Sequence, residues 1–241
     1  MDAIQTTSLT KKYKDVTAVA DLNLSVRRGE LFSLLGVNGA GKTTTVKMLS
    51  GLTAPTGGDA FLNGKSILKS PSDVKSMIAL SPQETAVAPG LTVTENLELM
   101  CGIHGLHGQK RENRIAELIS QMNLGKMAAK RAGKLSGGWQ RRLSIAMALI
   151  SDPEILFLDE PTLGLDVLAR SDLWDLIRSL KGRMTIILTT HYMEEAEALS
   201  DRVGIMKGGR LLTCATPDEL KQKTGETQFE KAFIRIVKGG C

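Results

Sequence analysis

Short apolar runs alternate along this chain with longer stretches in which apolar residues recur at helical spacing. Four of the runs are typical of strands buried on both faces of a sheet; they occupy residues 31–35, 78–80, 155–158 and 185–188. Helical spacing is clearest before Gly182, where Leu173, Leu176, Ile177 and Leu180 repeat at intervals of three and four. The alternation predicts an α/β fold built on a mostly parallel sheet.

The two ends of the chain follow a strand pattern of another kind. Residues 18–26 alternate apolar and polar side chains, and residues 61–64 end in the turn dipeptide Asn-Gly. The mainly apolar segments 202–206 and 211–215 flank a Lys-Gly-Gly-Arg turn. We therefore expect an N-terminal antiparallel β layer and a hairpin near the C-terminus.

Helix signals dominate the stretch from about residue 87 to residue 148, which contains no good strand. Thr92 and Glu95 form a capping box. The apolar series from Ile115 to Met122 has helical spacing, with Gly125 as the expected C-cap. These signals predict a single domain over residues 1–241, with a helical subdomain at about 87–148 and a C-terminal hairpin and helix at about 202–224.

Composition narrows the class of protein. With 42% hydrophobic and 24% charged residues, the 241-residue chain is ordinary for a globular protein. Its longest apolar run, residues 145–150, is far shorter than the ~18–20 residues of a membrane span. No charged region followed by an apolar region opens the chain, so we expect no secretory signal. Cys101, Cys214 and Cys241 form no CxxC pair, so we expect reduced thiols in the cytoplasm. The net charge of +5 does not indicate nucleic-acid binding.

A glycine-rich segment at residues 36–43, Gly-Val-Asn-Gly-Ala-Gly-Lys-Thr, matches the phosphate-loop pattern GxxxxGK[ST]. It follows a predicted strand and precedes a predicted helix, so its amides and the helix N-terminus can surround phosphate oxygens. In this pattern the lysine reaches the β- and γ-phosphates and the hydroxyl binds Mg²⁺. The expected nucleotide-binding residues are Asn38, Gly39, Ala40, Gly41, Lys42, Thr43 and Thr44, with Thr43 also a Mg²⁺ ligand.

Two further segments carry candidate chemistry. Ser136, Gly137 and Gly138 precede an apolar helix pattern, so they offer a second anion site at a helix N-terminus, although a simple loop ending in a cap fits the same residues. Asp159 and Glu160 close the apolar run 155–158. A carboxylate at that strand end is suited to Mg²⁺, and the next one can activate water.

Taken in order, seven motifs resemble the ATP-binding cassette (ABC) family, whose members are P-loop NTPases and form the nucleotide-binding subunits of ABC transporters. The similarity extends from about residue 13 to about residue 216. The motifs are Tyr13, the phosphate loop, Gln83, Leu135–Gly138 (Leu-Ser-Gly-Gly), residues 158–162 (Leu-Asp-Glu-Pro-Thr), residues 164–166 (Gly-Leu-Asp) and residues 189–191 (Thr-Thr-His).

The resemblance implies a role for each matching position. Tyr13 resembles the aromatic side chain that stacks on adenine. Asp159 resembles the Mg²⁺ ligand, Glu160 the general base and His191 the histidine near the γ-phosphate. Gln83 resembles the loop glutamine that contacts Mg²⁺ or the attacking water and faces the membrane partner.

A second set of matching positions implies a dimer. Ser136, Gly137 and Gly138 resemble the signature that clamps the γ-phosphate of ATP held by another subunit. Asp166 resembles the loop that crosses the dimer. Two chains, either a homodimer or a paired cassette, are thus expected to pack head to tail around ATP. Trp139 stands where glutamine is common in the family.

Segments after the signature, among them Arg141-Arg142-Leu143 and residues 193–197, resemble the branch that exports drugs or sodium. That branch implies an ATPase with ATP and Mg²⁺ as ligands, coupled to transport through an integral-membrane permease. The expected location is cytoplasmic, peripheral on the membrane's cytoplasmic face. A generic P-loop kinase or GTPase lacks the Ser-Gly-Gly signature. The alternative is a soluble single-cassette ATPase without transport, such as one for iron–sulfur assembly.

Overall fold

A six-stranded sheet forms the centre of the computed structural model, which describes residues 2–239 and therefore leaves Cys241 outside. With strands numbered in chain order, it contains β4 Leu31–Leu35, β7 Ile78–Ser81, β8 Ile155–Asp159, β9 Thr185–Thr190, β10 Arg202–Lys207 and β11 Arg210–Ala215. The strand order in the sheet is β11-β10-β4-β9-β8-β7, and all neighbours pair in parallel except β10 and β11. The predicted α/β fold with a mostly parallel sheet is confirmed.

A second sheet, formed by the N-terminal part of the chain, is antiparallel as predicted. Its strands are β1 Asp2–Tyr13, β2 Val16–Leu22, β3 Ser25–Arg27, β5 Gly57–Leu62 and β6 Lys65–Ser66. β1 lies between β2 and β5 and also pairs with β3. Ile4 and Leu62 from this sheet pack with Phe32 and Phe157 of the parallel sheet in one buried cluster. One face of the parallel sheet is thereby removed from water.

Helices cover the remaining surfaces of the parallel sheet. They are α1 Lys42–Leu49, α2 Pro71–Met77, α3 Val93–Ile103, α4 Gly108–Gln121, α5 Gly137–Ala148, α6 Val167–Leu180, α7 Met193–Leu199, α8 Pro217–Thr224 and α9 Phe229–Val237. Leu97, Leu118 and Leu143 of α3, α4 and α5 share a buried cluster with Leu156 and Leu188 of the sheet. The predicted helix-rich stretch therefore packs on the face opposite the antiparallel sheet.

Two local details differ from the sequence predictions. Gly125 does not cap α4, because the helix ends at Gln121 and Asn123 takes the left-handed conformation with φ of 54°. Asn tolerates this conformation better than most residues, and it comes earlier in the chain. Helix α9 was not predicted; Phe229 and Phe233 bury its apolar face. The capping box of Thr92 and Glu95 is present as predicted.

No helix within residues 2–239 has the length and apolar character needed to cross a membrane.

Candidate nucleotide site

The strand ends of the parallel sheet open into a cavity of about 750 Å³. The cavity brings together residues that are far apart in sequence. Its lining comprises Tyr13, Val16, Thr17, Ala18, Asn38, Gly39, Ala40, Gly41, Lys42, Thr43, Thr44, Gln83, Glu160, Leu163, His191 and Gly208. Most of the site residues predicted from sequence thus line one pocket, at the edge where ligands of open α/β sheets bind.

The phosphate loop connects β4 to α1 and wraps around the side chain of Lys42. The Lys42 Nζ donates to the carbonyls of Gly36 at 2.7 Å and Val37 at 3.4 Å, and lies 3.5 Å from Glu160 Oε1. Its side chain is only 4% exposed. A buried ammonium needs such oxygen partners, and phosphate oxygens would suit it better because they carry formal charge. The loop is therefore built to receive an anion.

Asp159, at the end of β8, lies beneath the phosphate loop. The Thr43 hydroxyl donates to Asp159 Oδ1 at 3.2 Å, and the Thr189 hydroxyl donates to the same oxygen. A hydroxyl and a carboxylate side by side are the oxygen ligands that Mg²⁺ favours, with phosphate and water completing its shell. Within residues 2–239, no group of three or more His, Cys, Asp or Glu side chains is arranged to hold a metal ion by itself, without phosphate or water as further ligands. The pair fits a magnesium ion that arrives with a nucleotide.

Glu160 follows Asp159 and turns its carboxylate into the cavity. Its φ is 47°, and its amide donates to the carbonyl and the hydroxyl of Thr189, at 3.1 Å in each case. The His191 Nδ1 lies 2.9 Å from Glu160 Oε2. A carboxylate only accepts hydrogen bonds, so Nδ1 carries the proton in this pair. An unusual backbone conformation at a polar residue in a cavity is typical of a functional site.

Tyr13 ends β1 at the opposite wall of the cavity, where its side chain is 45% exposed. The Lys11 ammonium lies 5.0 Å from the centre of the ring and donates to the Ala54 carbonyl at 2.6 Å. One face of the ring is thus covered by a cation that is held in place. An aromatic ring in this position can stack on a base.

Gln83 lines the cavity from the loop after β7, and α5 holds that loop from behind. The buried Arg141 guanidinium donates to the backbone carbonyls of Pro82 and Gln83. Burial lowers the pKa of Arg141, and the charges of Asp159 and Glu195 oppose this effect. This contact leaves no local signal in the sequence, because Arg141 and Gln83 are 58 positions apart, and Arg141 was named above only within a segment that resembles a family branch.

Ser136, Gly137, Gly138 and Asp166 are not among the residues that line the cavity. Ser136 is the N-cap of α5, but its side chain makes no capping hydrogen bond. Asp166 caps α6 by accepting from the Ala169 amide at 2.8 Å. A Cβ on Gly138 would lie 3.1 Å from the Ala169 side chain, so the two helix starts are packed together. These four residues form a second group on their own.

Trp139 packs against the helical cluster, and the Arg142 guanidinium lies 5.1 Å from the centre of its ring. At this position, where glutamine is common in the family, the chain thus has a tryptophan that packs against residues of the same chain.

Glu195 is a fully buried carboxylate that sequence analysis did not single out. Its Oε1 accepts from the Thr162 hydroxyl at 2.8 Å and from the Trp174 indole at 3.1 Å, whereas Oε2 is buried without a hydrogen-bond partner. Burial raises its pKa, and the hydrogen bonds from Thr162 and Trp174 and the charge of Arg170 oppose this effect. The group therefore links the segment after Glu160 to the helix after His191.

Known proteins similar to this chain identify its family. Residues 19–163 match the family model described as "ABC transporter". The chain is 38% identical over 241 residues to the probable multidrug ABC transporter ATP-binding protein YbhF of Escherichia coli, covering 97% of the chain and 41% of YbhF. It is 41% identical over 224 residues to the daunorubicin/doxorubicin resistance ATP-binding protein DrrA of Streptomyces peucetius, covering 92% of the chain and 68% of DrrA.

A solved structure shares the fold. It is the dimeric, post-hydrolysis state of the ATP-binding cassette MJ0796 bound to ADP and phosphate, with a TM-score of 0.79, 26% identity, and coverage of 88% of this chain and 98% of that one. Fold and site together define a nucleotide-binding cassette with a phosphate loop. The chain belongs to the ABC transporter family, and it spans about two fifths of the length of YbhF.

The buried carboxyl of Glu195 predicts a pH-dependent difference in stability. The ordinary pKa of glutamate is 4.5 and the folded value is raised, so the folded state binds the extra proton. The stability that Glu195 contributes is full below that ordinary value and is lost as pH rises through the folded pKa. Glu195→Gln keeps an acceptor oxygen for Thr162 and Trp174 but cannot ionise.

We therefore expect Glu195→Gln to gain free energy of unfolding relative to the unsubstituted chain as pH rises from about 4.5 to 8. Denaturant titrations at several pH values measure this difference. Glu230→Gln, a substitution on the exposed face of α9, is the matched control and should show no such trend. A difference that is flat with pH would mean that Glu195 does not titrate in this range.

Proposed function

We propose that this chain binds MgATP and hydrolyses it to ADP and phosphate, and that hydrolysis drives export of a drug or ion through an integral-membrane permease. The observation that carries the proposal is the meeting of Lys42, Thr43 and the Glu160–His191 pair in one cavity, with Asp159 hydrogen-bonded to Thr43 just beneath it. These groups suit, in turn, phosphate, magnesium and water. The ATP-binding relatives YbhF and DrrA support the drug-export class and do not favour the iron–sulfur alternative.

In this mechanism each side chain has one task. Lys42 leaves the loop carbonyls and donates to the β- and γ-phosphate oxygens, where the positive charge stabilises the transition state. Glu160 Oε1, released from Lys42, accepts the proton of the attacking water. His191 holds Oε2 through Nδ1 and thereby orients the carboxylate. Tyr13 stacks on adenine with the ring face that Lys11 leaves open.

Magnesium would be held by Thr43 and Asp159, with Gln83 facing the same ion or the water. When bound, the ion neutralises charge on the phosphates. The backbone amides of residues 38–44 would take the remaining phosphate oxygens.

The group formed by Ser136, Gly137, Gly138 and Asp166 acts on the nucleotide of a second chain. The Ser136 hydroxyl is free of any capping bond and α5 begins there, so the site can donate to a γ-phosphate presented from outside. Two chains packed head to tail then enclose two ATP molecules. The neighbouring structure of MJ0796 is dimeric.

The permease binds beside Gln83, on the cytoplasmic face of the membrane. Leu99 and Ile103 of α3 expose apolar side chains on the helix that follows the Gln83 loop. Arg141 ties that loop to α5, so a change at the nucleotide can reach this surface.

The first prediction from this function separates the hydrolysis step from the binding of MgATP. Glu160→Gln should lower the ATP turnover number by about 10²–10⁴-fold, the usual contribution of a general base, and leave MgATP affinity close to that of the unsubstituted chain. Lys42→Ala should instead weaken MgATP binding. Steady-state phosphate release and isothermal titration measure the two quantities. Near-normal turnover of Glu160→Gln at saturating MgATP would remove Glu160 from its proposed role.

The second prediction concerns adenine recognition. Stacking needs a ring face and no hydroxyl, so Tyr13→Phe should bind MgATP as tightly as the unsubstituted chain. Tyr13→Ala should lose about 1–3 kcal/mol of binding free energy. Titration calorimetry with MgATP measures both. Equal affinity of Tyr13→Ala and Tyr13→Phe would show that Tyr13 does not contact the base.

The third prediction is that ATP, but not ADP, drives two chains together. A ligand that binds the dimer more tightly must favour dimerisation, and only ATP carries the γ-phosphate that Ser136 would contact. Glu160→Gln, which holds ATP unhydrolysed, should sediment as a dimer with MgATP and as a monomer with MgADP.

The control for this experiment compares two serines. Adding Ser136→Glu to Glu160→Gln should place a negative charge against the phosphate and keep the chain monomeric, whereas Ser120→Glu on the exposed face of α4 should not. Identical mass with ATP and ADP, well above the ATP Kd, would contradict the shared site in the isolated chain.

A further inference from the structure

The turn between β10 and β11 touches the phosphate loop, and its Gly208 lines the cavity, although no residue of the turn is among the predicted site residues. The Gly209 amide donates to the Ala40 carbonyl at 3.0 Å, and the Gly209 carbonyl accepts from the Ala20 amide at 2.8 Å. Gly209 therefore connects the phosphate loop to β2, the strand whose first residues line the other side of the cavity.

Three backbone segments meet at this point with no room for a side chain. A Cβ on Gly209 would lie 2.8 Å from the Ala18 carbonyl oxygen, and one on Gly41 would lie 2.6 Å from the same oxygen. Gly209 also has φ of +78°, in the left-handed region that glycine adopts readily. Ala18 itself lines the cavity. The contact thus fixes the spacing between the phosphate loop and the wall that leads to Tyr13.

The turn is also anchored on the sides away from β2, which opposes its movement. β10 pairs with β4 on one side and β11 on the other. The Lys207 Nζ donates to the Val237 carbonyl at the end of α9, at 2.6 Å. At the other end of the loop, a Cβ on Gly36 would lie 2.5 Å from the Met206 carbonyl oxygen. A Cβ at residue 209 would therefore have to push β2 away or move the turn, and with it the Gly209 amide that holds the phosphate loop.

We infer that Gly209 is a positioning residue for nucleotide binding: its backbone holds the phosphate loop at the correct distance from the base-binding wall, and a side chain there disrupts both. The inference rests on the proposed binding of MgATP in this cavity. It concerns phosphate and base together, so ADP and ATP should be affected alike.

The test is Gly209→Ala, with Gly182→Ala as the matched control. Gly182 has φ of +79°, but nothing lies within 4 Å of a Cβ placed on it, so the control reproduces the backbone strain without the contact. We expect Gly209→Ala to raise the Kd for MgADP and MgATP by about tenfold or more, and Gly182→Ala to leave both Kd values within about twofold of the unsubstituted chain. Titration calorimetry measures these Kd values, at a temperature below the thermal unfolding transition of each protein.

Three outcomes are distinguishable in that titration. Loss of affinity in Gly209→Ala alone supports the inference. Equal affinity in all three proteins, or equal loss in both variants, overturns the inference and leaves the proposed function intact. If the unsubstituted chain binds neither nucleotide, the proposed function itself is wrong.

A measurement on the unsubstituted chain covers the case in which Gly209→Ala does not fold. Hydrogen exchange of the backbone amides is followed with and without MgADP. The Gly209 amide is hydrogen-bonded to the Ala40 carbonyl, so protection of the Gly209 amide should rise together with protection at residues 38–44. Gly208 is left out of this readout because it lines the cavity itself. Protection that rises at residues 38–44 but stays unchanged at Gly209 would overturn the inference.

Discussion

The parallel register of three neighbouring strands is the constraint on which the site depends. Leu35 of β4 pairs with Thr190 of β9, and Thr189 pairs with Asp159 of β8. The chain leaves all three strands at the same edge of the sheet, so the residues that follow them must meet there. These are the phosphate loop, His191 and Glu160. A shift of one strand by one residue would turn its side chains to the other face and would break the site without changing any of its residues.

Two buried ionisable side chains connect the loops at this edge of the sheet to the helices around it. Arg141 joins the Gln83 loop to α5, and Glu195 joins Thr162 to Trp174 of α6. Neither lines the cavity. Both use hydrogen bonds in a dry interior, where an unmatched partner costs more than it does at the surface. The helices that carry the second anion group are thus attached to the loops that face the first.

Sequence could reveal elements whose signals are local. The buried strands have contiguous apolar runs, the capping box of Thr92 has its partner three residues away, and the phosphate loop is one continuous pattern. Contacts between distant segments leave no such signal. The sequence does not indicate that Arg141 hydrogen-bonds the carbonyl of Pro82, or that the Gly209 amide hydrogen-bonds the carbonyl of Ala40. Asn123 shows the limit for local signals too, because a residue that tolerates the left-handed conformation ended α4 before the expected glycine was reached.

The hydrogen bonds by which Arg141 holds the Gln83 loop go to two main-chain carbonyls, those of Pro82 and Gln83. Every residue type offers the same carbonyl, so exchange of amino acids at positions 82 and 83 leaves this attachment intact. Adding a residue between Ser81, where β7 ends, and Pro82 is different, since it would bring another carbonyl to the guanidinium and rotate the loop. The contact therefore tolerates a change of residue type at positions 82 and 83 but fixes the position of these two carbonyls relative to α5. Over evolutionary time, insertions at the end of β7 are the changes that this contact would exclude.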